Sequence, residues 1–241
     1  MAANMDENMK KVFEALKANH FDPVEFVEDA EAAKNKILEL IPDGTNLGIA
    51  GSTTVSQIDG LREELIKRGS KGPDASMLGE RTLEDLMRIP HDMILTSSNA
   101  VTMDGKLVNV DGTGNRVSSM IFGPEKVVLI IGRNKIVRDV HEAIKRIKSV
   151  IAPFHARALQ HDTPCAKTGI CADCKSTERV CNVTTIIDKK PTYTDIAIVL
   201  VNEDLGLGWD PDWEEDRREK IGSVYLAQVQ RLIDDFNPPE E

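Results

Sequence analysis

Two uninterrupted apolar runs, Val127-Val-Leu-Ile-Ile131 and Ile196-Ala-Ile-Val-Leu-Val201, constrain this chain more than any other feature. A strand with one wet face alternates apolar and polar residues. A run without alternation has to be covered on both faces, as in a parallel sheet between helices. Helical spacing fills the intervals. Met9, Val12, Phe13 and Leu16 predict a first helix, and Ala30 to Leu40 a second, closed by Pro42-Asp43-Gly44. Val55, Ile58, Leu61 and Leu65 form the stripe of a third. Another helix is expected over 82–87, stopped by Pro90, and a further one carries Val137, Val140, Ile144 and Ile147. Leu47–Ala50, Met93–Leu95 and Val183–Ile187 are further candidate strands. This order predicts an α/β fold, an open and mainly parallel sheet flanked by helices. Its 241 residues, 41% of them hydrophobic, suffice for one sizeable core, so 1–241 reads as a single domain. No repeat or linker divides it, and the terminal Asn237-Pro-Pro-Glu-Glu241 reads as a frayed acidic tail.

Charge narrows the partners. Against 30 Lys and Arg stand 40 Asp and Glu, a net charge of −10, which suits no polyanion and argues against nucleic acid. Arg217, Arg218 and Lys220 are interleaved with Glu214, Glu215, Asp216 and Glu219, the pattern of a solvated helical face. The polar opening residues offer neither a signal peptide nor a membrane-inserting segment, so a cytoplasmic location is expected.

All four cysteines fall in one loop, within 161–182. Cys165, Cys171, Cys174 and Cys181 are separated by five, two and six residues. Three readings compete: a metal or iron–sulfur site, a disulfide knot, or coincidence. A Cys-x-x-Cys turn lets two thiolates converge on one ion, and the flanking cysteines can complete a sulfur shell. A reducing cytoplasm counts against disulfides. His20, His91, His141, His155 and His161 show no ligand spacing among themselves, although His161 is near enough to Cys165 to replace one thiolate.

Three other segments carry polar residues where α/β sheets bind ligands. In Gly48-Ile-Ala-Gly51-Ser52-Thr53-Thr54-Val55 a strand runs through a glycine and three hydroxyls into a helix. The same atoms serve an anion or simply cap the helix. Next, Asp104-Gly105 signals a hairpin. Asp111-Gly112-Thr113-Gly114-Asn115, with Ser98, Asn99 and Arg116, forms either the wall of a polar pocket or two ordinary turns. Lastly, Asn202-Glu203-Asp204 places acids just after the second apolar run.

Taken in order, these segments resemble the lactate-utilisation (LUD-domain) family. The resemblance rests on Gly51-Ser-Thr-Thr-Val55, Ser98-Asn99-Ala-Val-Thr102-x-Asp104-Gly105-x-Leu107-Val-Asn109 and Asp111-Gly-x-Gly114-Asn115-Arg116-Val117. Gly123-Pro-x-Lys126 and the loop Pro164-Cys165 to Cys181-Asn182 continue it, the loop resembling a four-cysteine subgroup. It implies a fold similar to ribose-phosphate isomerase and the CoA transferases. It also implies a ligand site beside Gly51, Ser52, Thr53 and Thr54 and along Ser98, Asn99, Asp111, Gly112, Gly114, Asn115 and Arg116. By position it makes Glu203 the candidate catalytic acid and Lys106 the candidate lysine. The implied function is a component of an iron–sulfur-linked system oxidising L-lactate or a similar small 2-hydroxy acid. In that system the four cysteines hold [4Fe–4S], a small anionic metabolite is bound, and an iron–sulfur electron-transfer protein is the partner. Zinc stays open as the alternative metal, because the usual ferredoxin spacing is missing. The alternatives are a stand-alone enzyme on a phosphorylated or carboxylated metabolite with a structural zinc, or a non-catalytic regulatory or assembly module of the same fold. A homo-oligomer is compatible with the sequence.

Overall fold

The computed structural model describes residues 5–49, 52–70 and 90–236. The helix expected over 82–87, Gly51 and the tail 237–241 lie outside the described residues. Five strands form the first sheet: β1 (Val24–Val27), β2 (Leu47–Ile49), β3 (Met93–Thr96), β6 (Lys126–Gly132) and β9 (Asp195–Val201). Their order is β1-β9-β6-β3-β2 and every pairing is parallel. The two apolar runs are the adjacent central strands, paired from Lys126↔Asp195 to Gly132↔Val201.

Their side chains alternate between two cores. Val127, Leu129 and Ile131 join Ile196, Ile198 and Leu200 on one face. Val128 and Ile130 join Ala197, Val199 and Val201 on the other. The second of these faces is covered by α2 (Ala30–Leu40), α3 (Thr53–Ser56) and α4 (Leu61–Lys67), through Ala33, Ile37, Val55, Leu61 and Leu65. The expected third helix is thus two, broken at Gly60, whose φ of 70° leaves the helical region. The other face packs on α1 (Glu7–Ala18) through Met9, Val12 and Leu16. Asp6 caps α1 by accepting from Met9 N at 2.7 Å, and Asp29 caps α2 by accepting from Ala32 N at 2.8 Å, each such cap contributing about 1 kcal/mol.

A second sheet, absent from the single-sheet expectation, has the order β7-β4-β5-β8. β4 (Ala100–Thr102) and β5 (Leu107–Asp111) form the hairpin that Asp104-Gly105 signals. β8 (Val183–Ile187) pairs antiparallel with β5, and the two-residue β7 (Ile136–Val137) lies parallel to β4. β7 and β4 are too short for periodicity to reveal them. Val101, Leu107 and Ile187 face the core shared with the first sheet. Ala100, Val108 and Val110 face a third core beneath α6 (Val140–Arg146), α7 (Ala152–Ala158) and α9 (Glu215–Phe236). A π-helical stretch, Ile147–Ile151, joins α6 to α7. α5 (Asn115–Ile121) follows β5, and α8 (Pro164–Thr168) opens the cysteine loop. Among the described residues no helix is long and apolar enough to cross a membrane.

β6 ends at Gly132, where the segment after β9 crosses close by. A Cβ on Gly132 would stand 2.5 Å from Leu205 N, 2.6 Å from Asn134 Oδ1 and 2.8 Å from Glu203 O. Two of these neighbours are backbone and cannot swing away. Gly132→Ala is therefore expected to lower stability by about 2–3 kcal/mol, read as a lower urea midpoint at unchanged slope.

Candidate functional site

A cavity of about 1090 Å³ opens where the C-terminal ends of β3 and β5 meet α3, α7 and α9. On its wall lies Lys135, three residues beyond β6 and only 5% exposed. Its ammonium donates to Thr54 Oγ1 at 2.7 Å, Ser97 Oγ at 2.7 Å and the Ser98 carbonyl at 3.0 Å. All three N–H groups are engaged, and among the described residues no carboxylate pairs with the charge. Burial, and next the nearby Arg116 guanidinium, push Lys135 down to about 7. An uncompensated buried cation is costly, and such groups concentrate at functional sites.

The surroundings hold Lys135 in that position. Asn134 donates from Nδ2 to the Gly208 carbonyl at 3.0 Å, and its Oδ1 accepts from Leu205 N at 3.0 Å. Arg146 donates to the carbonyls of Asn134 and Ile136 at 3.1 and 3.2 Å, and is itself paired with Glu142 at 2.7 Å. Gly206, at a φ of 73°, presses its Cα side on the Thr54 hydroxyl, and a Cβ there would lie 3.0 Å from Lys135 Nζ. The glycines after the second apolar run therefore serve this lysine.

Arg116 is equally engaged. Its NH1 donates to the Ser97 carbonyl and Asn109 Oδ1 at 3.1 and 2.7 Å. Its NH2 donates to Asn99 Oδ1 and the Val110 carbonyl at 3.0 and 2.9 Å, and Nε lies 3.4 Å from Asp111 Oδ2. Asp111 also accepts from Thr113 N and Gly114 N at 3.1 and 2.7 Å, closing the turn into α5. Arg116 thus ties three segments of the wall together and adds positive field, while leaving no free donor. Asn99 differs: Val110 N and Arg116 both donate to its Oδ1, which fixes the amide orientation and leaves Nδ2 without a partner among the described residues.

Of the residues expected to bind ligand, Ser52, Thr53, Thr54, Ser98, Asn99, Asp111, Gly112, Asn115 and Arg116 line this cavity. Ser52 also caps α3, accepting from Val55 N at 3.4 Å. Gly114 is set back at the start of α5, and Gly51 lies outside the described residues. The two candidate catalytic groups are placed elsewhere. Glu203 is exposed and accepts from Ala30 N at 2.9 Å, at the start of α2. Lys106 sits beside the hairpin turn, where its bond to Asp188 at 2.8 Å pushes its pKa up. Neither reaches the cavity. Lys135, which does, is missed by sequence reasoning, because a lysine three residues beyond a strand carries no signal of its burial.

The four cysteines are unpaired thiols around one small second cavity, which Thr163, Asp173 and Arg179 also line. Among the described residues no three His, Cys, Asp or Glu side chains are placed so that they could hold a metal ion. The donors are nevertheless all sulfur, and the surroundings suit a negative group. Thr163 Oγ1 lies 3.4 Å from Cys165 Sγ. Arg179 donates to the carbonyls of Cys174 and Cys181 at 2.5 and 3.2 Å, and a hydrogen bond with Cys181 pushes its pKa up. Its Nε is buried and unpartnered, a donor awaiting an acceptor. In donor chemistry, though not in placement, these residues fit a four-thiolate group. His161 Nδ1 lies 2.6 Å from the Glu178 carbonyl. Ala152, Arg179 and Val180 line both cavities and form a common wall.

The strain at Lys135 has a measurable sign. Its folded pKa lies below the ordinary 10.5, so the unfolded chain binds more protons between pH 7 and 10.5, and this group's contribution to stability rises with pH across that window. Lys135→Met removes the buried charge and is expected to stabilise the fold by about 1–4 kcal/mol at neutral pH. The advantage over wild type, followed by thermal melts, shrinks as pH approaches 10.

The model of the LUD domain matches residues 9–201. No curated protein matches the chain. Among solved structures, a DUF162 family protein from Deinococcus radiodurans superposes with a TM-score of 0.47 at 11% identity, covering 81% of this chain and 97% of that one. The family match spans β1 through β9, with Lys135, Arg116 and the cysteine loop inside it, and the chain belongs to the LUD-domain family.

Proposed function

We propose that this LUD-domain protein binds a small 2-hydroxy acid, L-lactate or a close analogue, as a component of an iron–sulfur-linked oxidation system. The common wall of Ala152, Arg179 and Val180 carries this reading. A purely structural metal loop gains nothing from lying against a ligand cavity, whereas electron exchange with a bound substrate requires short range.

The charge around the cavity supports a carboxylate ligand. Arg62, Arg116, Lys135, Arg179 and Arg231 line the cavity against Asp59, Glu63, Asp111 and Glu178, a small positive excess in a chain whose net charge is −10. Lys135 supplies charge from behind the Thr54 and Ser97 hydroxyls, and the free Asn99 Nδ2 is the neutral donor that orients the carboxylate. Because Lys135 titrates near 7, a bound anion favours its ammonium form, and affinity falls as pH rises above that value.

Cys165, Cys171, Cys174 and Cys181 would hold a four-thiolate iron–sulfur centre, which would supply one-electron transfer. Converting a 2-hydroxy to a 2-oxo acid releases two electrons and two protons, so the electrons would leave in two single transfers and the protons to solvent. The sequence carries no flavin or nicotinamide fingerprint, so an electron-transfer partner protein is the acceptor in this reading.

Protein purified without oxygen is expected to contain about four irons and four sulfides, with broad absorption near 400 nm. One zinc and no colour would make the loop structural and remove the redox half of the proposal. Calorimetry with L-lactate and pyruvate tests the other half. Binding is expected to weaken about tenfold or more in Lys135→Met, and to weaken in the wild type between about pH 6 and pH 9. Absence of binding by either acid overturns the substrate assignment.

A further inference from the structure

His155 on α7 and Tyr225 on α9 both line the large cavity, and nothing above has given them a role. The Tyr225 hydroxyl lies 2.5 Å from His155 Nδ1, and the two rings meet edge-on at 6.1 Å. Phe154 packs edge-on against Tyr225 at 5.9 Å and against Trp209 at 5.3 Å, holding the tyrosine in place.

The protons in this pair can be assigned. Tyr225 is 4% exposed, and its O–H needs an acceptor. Among the described residues the one it meets is Nδ1, so Nδ1 accepts and the single proton of a neutral imidazole resides on Nε2. Neutrality follows from the surroundings. Burial above all, then His161 and Arg116, push His155 down to about 4, with Asp111 opposing. Burial pushes Tyr225 up, so it keeps its proton. Nε2 is not among the enclosed unpartnered atoms, and among the described residues no group bonds it. The ring lines the cavity, and Nε2–H is therefore a donor open to it.

This donor matters because Lys135 and Arg116 have none to offer. The N–H groups of Lys135 and Arg116 are all directed at protein acceptors. A neutral N–H can polarise a ligand oxygen without adding a third cation beside them.

We infer that His155, fixed by Tyr225 as the Nε2–H tautomer, donates to an oxygen of the small carboxylate in this cavity, with Tyr225 as its positioning residue. The inference rests on the small-anion reading of the cavity. Tyr225 lies beyond the residues that match the family domain, 9–201, so the orientation of this donor belongs to the chain's own C-terminal helix.

Two measurements test it. Nitrogen-15 NMR of the histidine rings at pH 7 is expected to show neutral His155 with Nε2 protonated, and a mixture of tautomers in Tyr225→Phe. An Nδ1-protonated ring or an imidazolium overturns the pairing, whether or not any ligand binds. Calorimetry with L-lactate, pyruvate and inorganic phosphate as probes tests the contact. His155→Leu is expected to weaken binding about tenfold or more, and His155→Gln, whose amide nitrogen replaces Nε2, less than about threefold. Equal losses in both variants mean a structural role and overturn the donor assignment, as does unchanged binding in His155→Leu. If the wild type binds none of the three probes, the small-anion reading fails and the contact with it. The tautomer spectrum then still decides the Tyr225–His155 pair independently.

Discussion

The site depends on two central strands ending at the same level. β6 and β9 run in parallel register from Lys126↔Asp195 to Gly132↔Val201, and both chains then turn over the same edge of the sheet. The two departing segments touch at Gly132, where Leu205 N leaves no room for a side chain. Asn134 joins them by binding the backbone of Leu205 and Gly208, and Lys135 follows directly. A lysine on a free loop would keep its amine in water. Here the backbone on either side is clamped, and the amine is directed inward at two hydroxyls and a carbonyl. The desolvation of that charge is offset by the packing of the two strands, which makes the fold the source of strain at the site.

Around this point the wall is built by mutual support between turns. Arg116 reaches from α5 to Ser97, Asn99, Asn109 and Val110, so the β3–β4 connection and the end of β5 hold one shape. Asn182 then ties the end of the cysteine loop to this frame, its backbone bonding Asp111 and its side chain Gly112. α9 closes the remaining side through Tyr225 and Val229 in the third core. The same residues that build the pocket therefore also anchor the loop that carries the thiols.

Much of the first sheet was legible from sequence because its signals are local. The unbroken runs at 127–131 and 196–201 have no amphipathic face, and only burial between helices accommodates them. The polar pocket wall was legible at Ser98, Asn99, Asp111 and Arg116 because turn residues crowd there beyond what a turn needs. Lys135 was not, since a lysine after a strand looks the same whether it faces water or the interior. Its burial is decided by Thr54, 81 positions away, and by Ser97. Glu203 drew attention as an acid at a strand end, yet its carboxylate turns back to the first turn of α2. The Tyr225–His155 contact spans 70 positions and no spacing rule reaches it. The second sheet escaped for a related reason: β7 is two residues long and exists only because β4 lies beside it.

Arg179 lines both the thiol cavity and the large cavity, and its guanidinium bonds the carbonyls of Cys174 and Cys181. That shared position would link the two compartments thermodynamically if the thiols carry the proposed centre and the cavity the proposed anion. If charge on the sulfurs changes the affinity of the neighbouring cavity for an anion by some factor, the anion must change the energetics of that charging by the same factor. Added negative charge behind the wall would loosen an anion held in front of it. In the proposed function, release of an oxidised ligand would then follow from charge gathered on the sulfurs behind the wall.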